Sequence, residues 1–233
     1  MAKFDYSPMF PLDTDTTEYE LITNKHVKIV EIGSETFLKV EPEALTLLAE
    51  RAFRDISHLL RSSHLSQLAN ILIDPEATKN DRFVALEMLK NAVVAAEGLL
   101  PMCQDTGTAL VTGYRGDHVL VTGDDGEALS HGVHDTYQQS NLRFSQLAAT
   151  GMFDEVNTAT NLPAQIDLYA VKGLEYKFAF IQKGGGSANK TFLHQKTKAV
   201  LNPKSLRNFI RTAILELGTS ACPPYHLAIV IGG

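Results

Sequence analysis

Between residues 45 and 96 the apolar side chains recur every three or four positions, and from residue 108 onward much of the pattern shortens toward alternation. That switch of period constrains the fold most strongly. Helices that bury one stripe come first, and strands that bury one face follow. Pro42 suits the first turn of a helix, where its missing N–H is harmless. Leu45, Leu48, Ala52, Ile56, Leu59 and Leu60 then mark one face. A second helix is predicted over about 64–73, and a third from a cap at Asn80 to a terminating Gly98. Strands are predicted at 19–23, 27–32 and 35–40, with Gly33-Ser34 as the turn between the last two. Further along, 108–112 and 118–122 read as a hairpin around residues 113–116. Residues 124–149 read as a long helix, and 166–171 with 175–182 as a second hairpin. Residues 203–217 read as a helix and 226–231 as a buried strand. The fold class is therefore α/β (mixed): an N-terminal helical layer, about 41–98, followed by a mixed β-sheet with helices, about 99–233. Residues 1–20, with Pro8, Pro11 and a Thr/Asp cluster, read as an arm.

The chain has 233 residues, enough for a substantial core. Its net charge is −6 with no basic block, which argues against nucleic acid and acidic membranes as partners. No apolar run is long enough to span a bilayer, and the first residues lack a signal-peptide core, so the expected location is cytoplasmic.

Two cysteines do not form a disulfide framework. Cys103 stands in Leu100-Pro101-Met102-Cys103-Gln104-Asp105-Thr106-Gly107-Thr108, where a thiolate, an amide and a carboxylate could address one ligand. The same string also suits a buried cysteine before a turn. Cys222 stands in Ala221-Cys222-Pro223-Pro224-Tyr225-His226, where the prolines stiffen the backbone after the thiol. It reads equally as a small residue at a helix–strand corner. Between them, Lys183-Gly184-Gly185-Gly186-Ser187-Ala188-Asn189-Lys190 follows a β-run. Its glycines let backbone N–H groups approach an anion, and no Gly-Lys-Ser/Thr makes it a Walker loop. Arg143, placed on the long helix, could fork a carboxylate or sit in a surface ion pair. His131 and His134 read as a solvated helix face. Residues 157–165, rich in amides and hydroxyls, are either an ordered site loop or a connector.

These strings, with 157–170 and 221–233, make the chain resemble the N-terminal region of class I fumarases, the iron–sulfur fumarate hydratases. The related iron–sulfur tartrate dehydratases share the same plan. The resemblance implies a hydro-lyase that interconverts fumarate and malate, with a place in the tricarboxylic acid cycle and a homodimeric assembly. It implies Cys103 and Cys222 as two of three cysteine ligands of a [4Fe–4S] cluster, and Gln104, Asp105, Arg143 and Gly186 as substrate contacts. The open iron would act as the Lewis acid.

Family members continue past the Gly-Gly, supplying the third cysteine, the base and a C-terminal domain. The expectation is therefore an incomplete chain, inactive alone, that needs the missing C-terminal domain or a partner subunit. The alternatives are a tartrate dehydratase-like enzyme of another small dicarboxylate, or a non-catalytic structural or interaction module.

Overall fold

Local signals start most of the helices in the computed structural model of the protein, which describes residues 4–5 and 18–232. Pro42 opens α1 (Pro42–His58), with Glu43 in its first turn matched to the helix dipole. Helix α2 (Ser62–Ile73) follows. Helix α3 (Lys79–Ala95) begins one residue before the predicted Asn80 cap. Thr78 caps it: its hydroxyl accepts the Asp81 N–H, and the Asp81 carboxylate accepts the Thr78 N–H. This reciprocal box contributes about 1 kcal/mol. The predicted arm lies almost wholly outside the described residues.

Strands β1 (Val27–Ile32) and β2 (Glu35–Val40) form the expected antiparallel pair. The predicted strand at 19–23 does not form, and Tyr19 and Leu21 are exposed there. Strand β3 (Thr108–Gly116) corrects the first predicted hairpin, because it runs straight through the glycines taken for a turn. A Cβ on Gly113 would lie 2.6 Å from Leu168 and 3.0 Å from Phe178, so this glycine admits neighbouring side chains over the strand. Strand β4 (Val119–Val121) leaves β3 and pairs in parallel with β2.

Helix α4 (Asp125–Gln139), capped by Asp124, ends ten residues before the predicted limit of 149. Asn141 takes a left-handed conformation and donates to the Leu99 carbonyl at 3.1 Å, which turns the chain away from the helix. A small hairpin, β5 (Leu147–Ala149) with β6 (Glu155–Asn157), fills part of the span read as helix. Strands β7 (Gln165–Val171) and β8 (Tyr176–Lys183) form near their predicted places but do not pair with each other. Both flank β3, β7 in parallel and β8 antiparallel, and the short link between them crosses the end of β3. There Gly116 N–H donates to the Glu175 carbonyl and Asp117 N–H to that of Val171. A five-residue helix α5 (Gly185–Asn189), a 3₁₀ turn (Lys198–Val200) and α6 (Pro203–Glu216), capped by Asn202, complete the order.

The core forms where α1 and α4 cover one face of β3. Ala109 and Val111, alternate residues of that strand, are fully buried with Leu45, Ala49, Phe53, Leu129, Val133 and Tyr137. Phe53 meets Phe180 edge to face at 5.5 Å. Each buried leucine contributes roughly 1.5–3 kcal/mol. The result is an α/β fold with helices on mixed sheets. The predicted strand at 226–231 does not form: the segment has no regular secondary structure and is exposed. Among the described residues no helix is long and apolar enough to cross a membrane.

Candidate functional site

The antiparallel register of β3 and β8 sets Thr108 opposite Lys183. The loop entering β3 and the glycine loop leaving β8 therefore emerge side by side. Gly107, at φ +51°, lies where no other residue fits: a Cβ there would sit 2.1 Å from the Lys183 carbonyl oxygen. On Gly184 it would lie 2.4 Å from an Asp105 carboxylate oxygen. Asp105 thus rests directly on the glycine backbone, and its Oδ2 accepts the Gly186 N–H at 3.5 Å.

Arg143 stands in the loop after α4 and not on the helix, which corrects the sequence-based placement. That loop is tied to the Cys103 loop from both sides. The Arg143 N–H donates to Thr106 Oγ1 at 3.0 Å, and the Thr106 hydroxyl lies 2.9 Å from the Arg143 carbonyl. Asn161, fully buried, accepts the N–H groups of Ser145 and Gln146 at 2.8 and 3.0 Å and donates to the Gly107 carbonyl at 2.9 Å. Tyr137 donates from below to the carbonyls of Thr106 and Gly107. Burial, reinforced by the charge of Asp105, pushes its phenol up to about 12, so it remains a donor at neutral pH.

Together these loops enclose a cavity of about 560 Å³ lined by Gln104, Asp105, Arg143, Lys183, Gly184 and Gly185, among others. Its volume falls in the range of small-molecule pockets. Its lining offers one carboxylate, two cationic side chains, the amides of Gln104 and Gln165, and backbone N–H groups. Three of the four predicted contacts line it directly, and Gly186 touches Asp105 at its edge.

Both cysteines are free and exposed. Cys103 precedes the cavity, and its Sγ accepts the Asp105 N–H at 3.4 Å. Its loop is anchored by the Met102 N–H on the Ser57 carbonyl and by Asn91 on the Met102 carbonyl. Cys222 has left-handed backbone, φ +58°, in a turn held by the Tyr225 hydroxyl, which donates to the Gly218 carbonyl. It lines a separate cavity of about 760 Å³ with residues of α2 and α3. The two motifs meet at Gly186: its Cβ position lies 3.5 Å from Ala221, the neighbour of Cys222. The strand expected after Cys222 is absent, so this cysteine is not at a helix–strand junction. Among the described residues, no group of three metal-ligating side chains includes either cysteine.

Sequence reasoning missed Asn161, Thr106 and Tyr137 as supports of the site. The amide-rich run at 157–165 held the only signal, and the structure resolves it as an ordered loop rather than a plain connector.

A family model described as "Fumarate hydratase (Fumerase)" matches residues 46–233. The chain belongs to the Fumerase family. Fumarate hydratase class I, anaerobic, of Escherichia coli K12 is 58% identical over 230 residues, covering 99% of this chain and 42% of its own length. The aerobic class I enzyme of the same strain is 57% identical over 230 residues, covering 99% of this chain and 42% of its own length. Fumarate hydratase 1, mitochondrial, of Leishmania major is 57% identical over 236 residues, covering all of this chain and 43% of its own length. The chain thus spans about two fifths of the length of these curated relatives. The Fumerase match covers the whole cavity lining and both cysteines.

Proposed function

We propose that this chain is the cluster-bearing and substrate-orienting part of a hydro-lyase that reversibly hydrates fumarate to malate. The observation that carries the reading is the cavity shared by Gln104, Asp105, Arg143 and the glycine loop. Arg143 would fork one terminal carboxylate of the substrate. Backbone N–H groups of the glycine loop and the Gln104 amide would hold its other oxygens, and Lys183 would add positive potential. Asp105, seated on the glycine backbone, would orient that loop toward the ligand. The pocket thereby fixes a planar four-carbon dianion before hydroxyl and proton add across its double bond.

Cys103 and Cys222 would hold a [4Fe–4S] cluster. The donor chemistry fits, since both are unpaired, exposed thiols whose loops meet at Gly186. Two thiolates leave the ligand set short, so a further ligand would come from outside this stretch. When bound, the cluster supplies a Lewis acid for the leaving or entering hydroxyl. No residue of this chain is assigned as the base. The curated relatives are more than twice as long, and we assign full turnover to the longer polypeptide or to a partner that supplies the rest.

The test is anaerobic reconstitution with iron and sulfide, followed by iron analysis, visible absorption and assays of fumarate, mesaconate and tartrate turnover. The chain alone should hold iron below four per chain and hydrate fumarate negligibly. Cys103→Ser should lower the iron further, and Arg143→Gln should weaken fumarate binding at least tenfold. Iron uptake indifferent to both cysteines would overturn the cluster assignment. Preference for tartrate in the assembled enzyme would move the substrate to the related dehydratases.

A further inference from the structure

An amphipathic helix in a folded protein normally buries its apolar stripe, and α6 does not. None of its residues is fully buried: Ile214 and Leu215 are 42% and 73% exposed, and Leu206 and Ile210 are partly buried. The C-terminal segment that lines a cavity with it behaves the same way, with Leu227, Ile229 and Ile231 about half exposed and Val230 93% exposed. The helix and this segment bound one trough of about 480 Å³, and the other flank of α6 forms a second of about 520 Å³. Segment 226–231 has the composition of a strand yet pairs with no strand among the described residues. A small ligand could fill a trough but could not also pair a row of backbone groups. A polypeptide can do both by adding a strand and covering the helix.

Charge selects among polypeptides. Lys190, Lys196 and Lys198 line the first trough, and Arg207 and Arg211 the second. A second copy of this face, related by a two-fold axis, would bring these cations together. The curated relatives keep more than half of their residues outside the matched stretch. We infer that α6 and segment 226–232 form the docking surface for that remaining part of the fumarate hydratase polypeptide, which contributes a pairing strand and an acidic rim. The inference rests on the proposed reading that this chain works with that remainder, but it is tested without activity.

The experiment co-expresses the chain with a separate polypeptide made of the residues of the Escherichia coli anaerobic enzyme that lie outside the match. A covalent fusion of the two serves as the second sample. Co-purification and hydrogen exchange are read on both, together with the double variant Leu215→Asp/Val230→Asp. Both side chains are largely exposed, so the variant should melt like the parent chain. The expected result is a one-to-one complex, at least tenfold slower exchange at 227–231, and at least tenfold weaker association of the variant. Unprotected amides at 227–231 in the fusion, or a variant that associates normally, overturn the inference. Concentration-dependent self-association of the chain alone, with those amides already slow, gives the face to a second copy and overturns it too. None of these outcomes depends on iron or turnover, so the hydro-lyase reading can fail separately.

Discussion

Replacing Asn161 by alanine removes a buried side chain that, with Thr106, joins the Arg143 loop to the Cys103 loop. Three hydrogen bonds of 2.8, 3.0 and 2.9 Å are lost, at a fully buried position. Each is worth about 1 kcal/mol net: the Ser145 and Gln146 N–H groups lose their acceptor, while the Gly107 carbonyl keeps the Tyr137 hydroxyl. Asn161 also has left-handed backbone, φ +56°, which asparagine tolerates and alanine does not, adding about 1 kcal/mol. The expected loss is about 4 kcal/mol, a large share of the ~5–15 kcal/mol that stabilises a typical domain. Urea unfolding followed by circular dichroism measures it. Asn161→Gly separates the two causes, because it loses the same bonds without the backbone strain and should recover about 1 kcal/mol. An alanine variant within about 1 kcal/mol of the parent would show that the loops hold together without this side chain. A glycine variant worse than alanine would refute the backbone part of the reasoning.

Gly107→Ala should destabilise by more than about 3 kcal/mol or prevent soluble expression, because the new Cβ meets backbone atoms of Lys183 and Gly184 that cannot move aside. Gly33→Ala, at φ +64° with open space around it, should cost only about 1 kcal/mol. Thermal melts of the two side by side check the contrast, and equal losses would contradict it. His64 and His226 lie nitrogen to nitrogen at 2.7 Å, and burial, then the facing charge of His226, holds the His64 pKa below its usual value. The unfolded chain therefore binds the His64 proton first. This contribution to stability is full above about pH 6.5, falls as pH drops below it, and levels off once folded His64 is protonated. His64→Gln should flatten the acid side of a stability–pH curve measured between pH 7.5 and 5, and an unchanged slope would count against the pair.

What the sequence made legible was local. Pro42, the apolar stripes and the terminating Gly98 located the first three helices, because capping and periodicity act over a few residues. Strand partners are a long-range choice, and there local reading failed. Residues 113–116 carry turn composition, but Gly113 answers to Leu168 and Phe178 and Gly116 to the backbone of Gly173 and Glu175, all more than fifty residues away. The helix over 124–149 was overextended because nothing in its periodicity registers the Asn141 contact with Leu99. That error carried Arg143 with it. The motif residues themselves stood out, since Gln104, Asp105 and the glycine run have compositions that packing alone does not explain. Asn161 did not, because its role lies in three backbone partners that only the folded chain assembles. Segment 226–231 read as buried because its composition asks for a covering layer, which the described residues do not contain.

The alignment of β7, β3 and β8 also sets a scale for the ligand. The start of β7, the start of β3 and the end of β8 stand abreast, with Gln165 opposite Leu110 and Lys183 opposite Thr108. Neighbouring strands are about 4.8 Å apart, so the rim carrying Gln165, Thr108 and Lys183 spans roughly 10 Å. A molecule that touches all three strand ends therefore reaches across about 10 Å. The sheet acts as a gauge: the spacing of its ladder, more than any single side chain, would set the reach available to the acid proposed above.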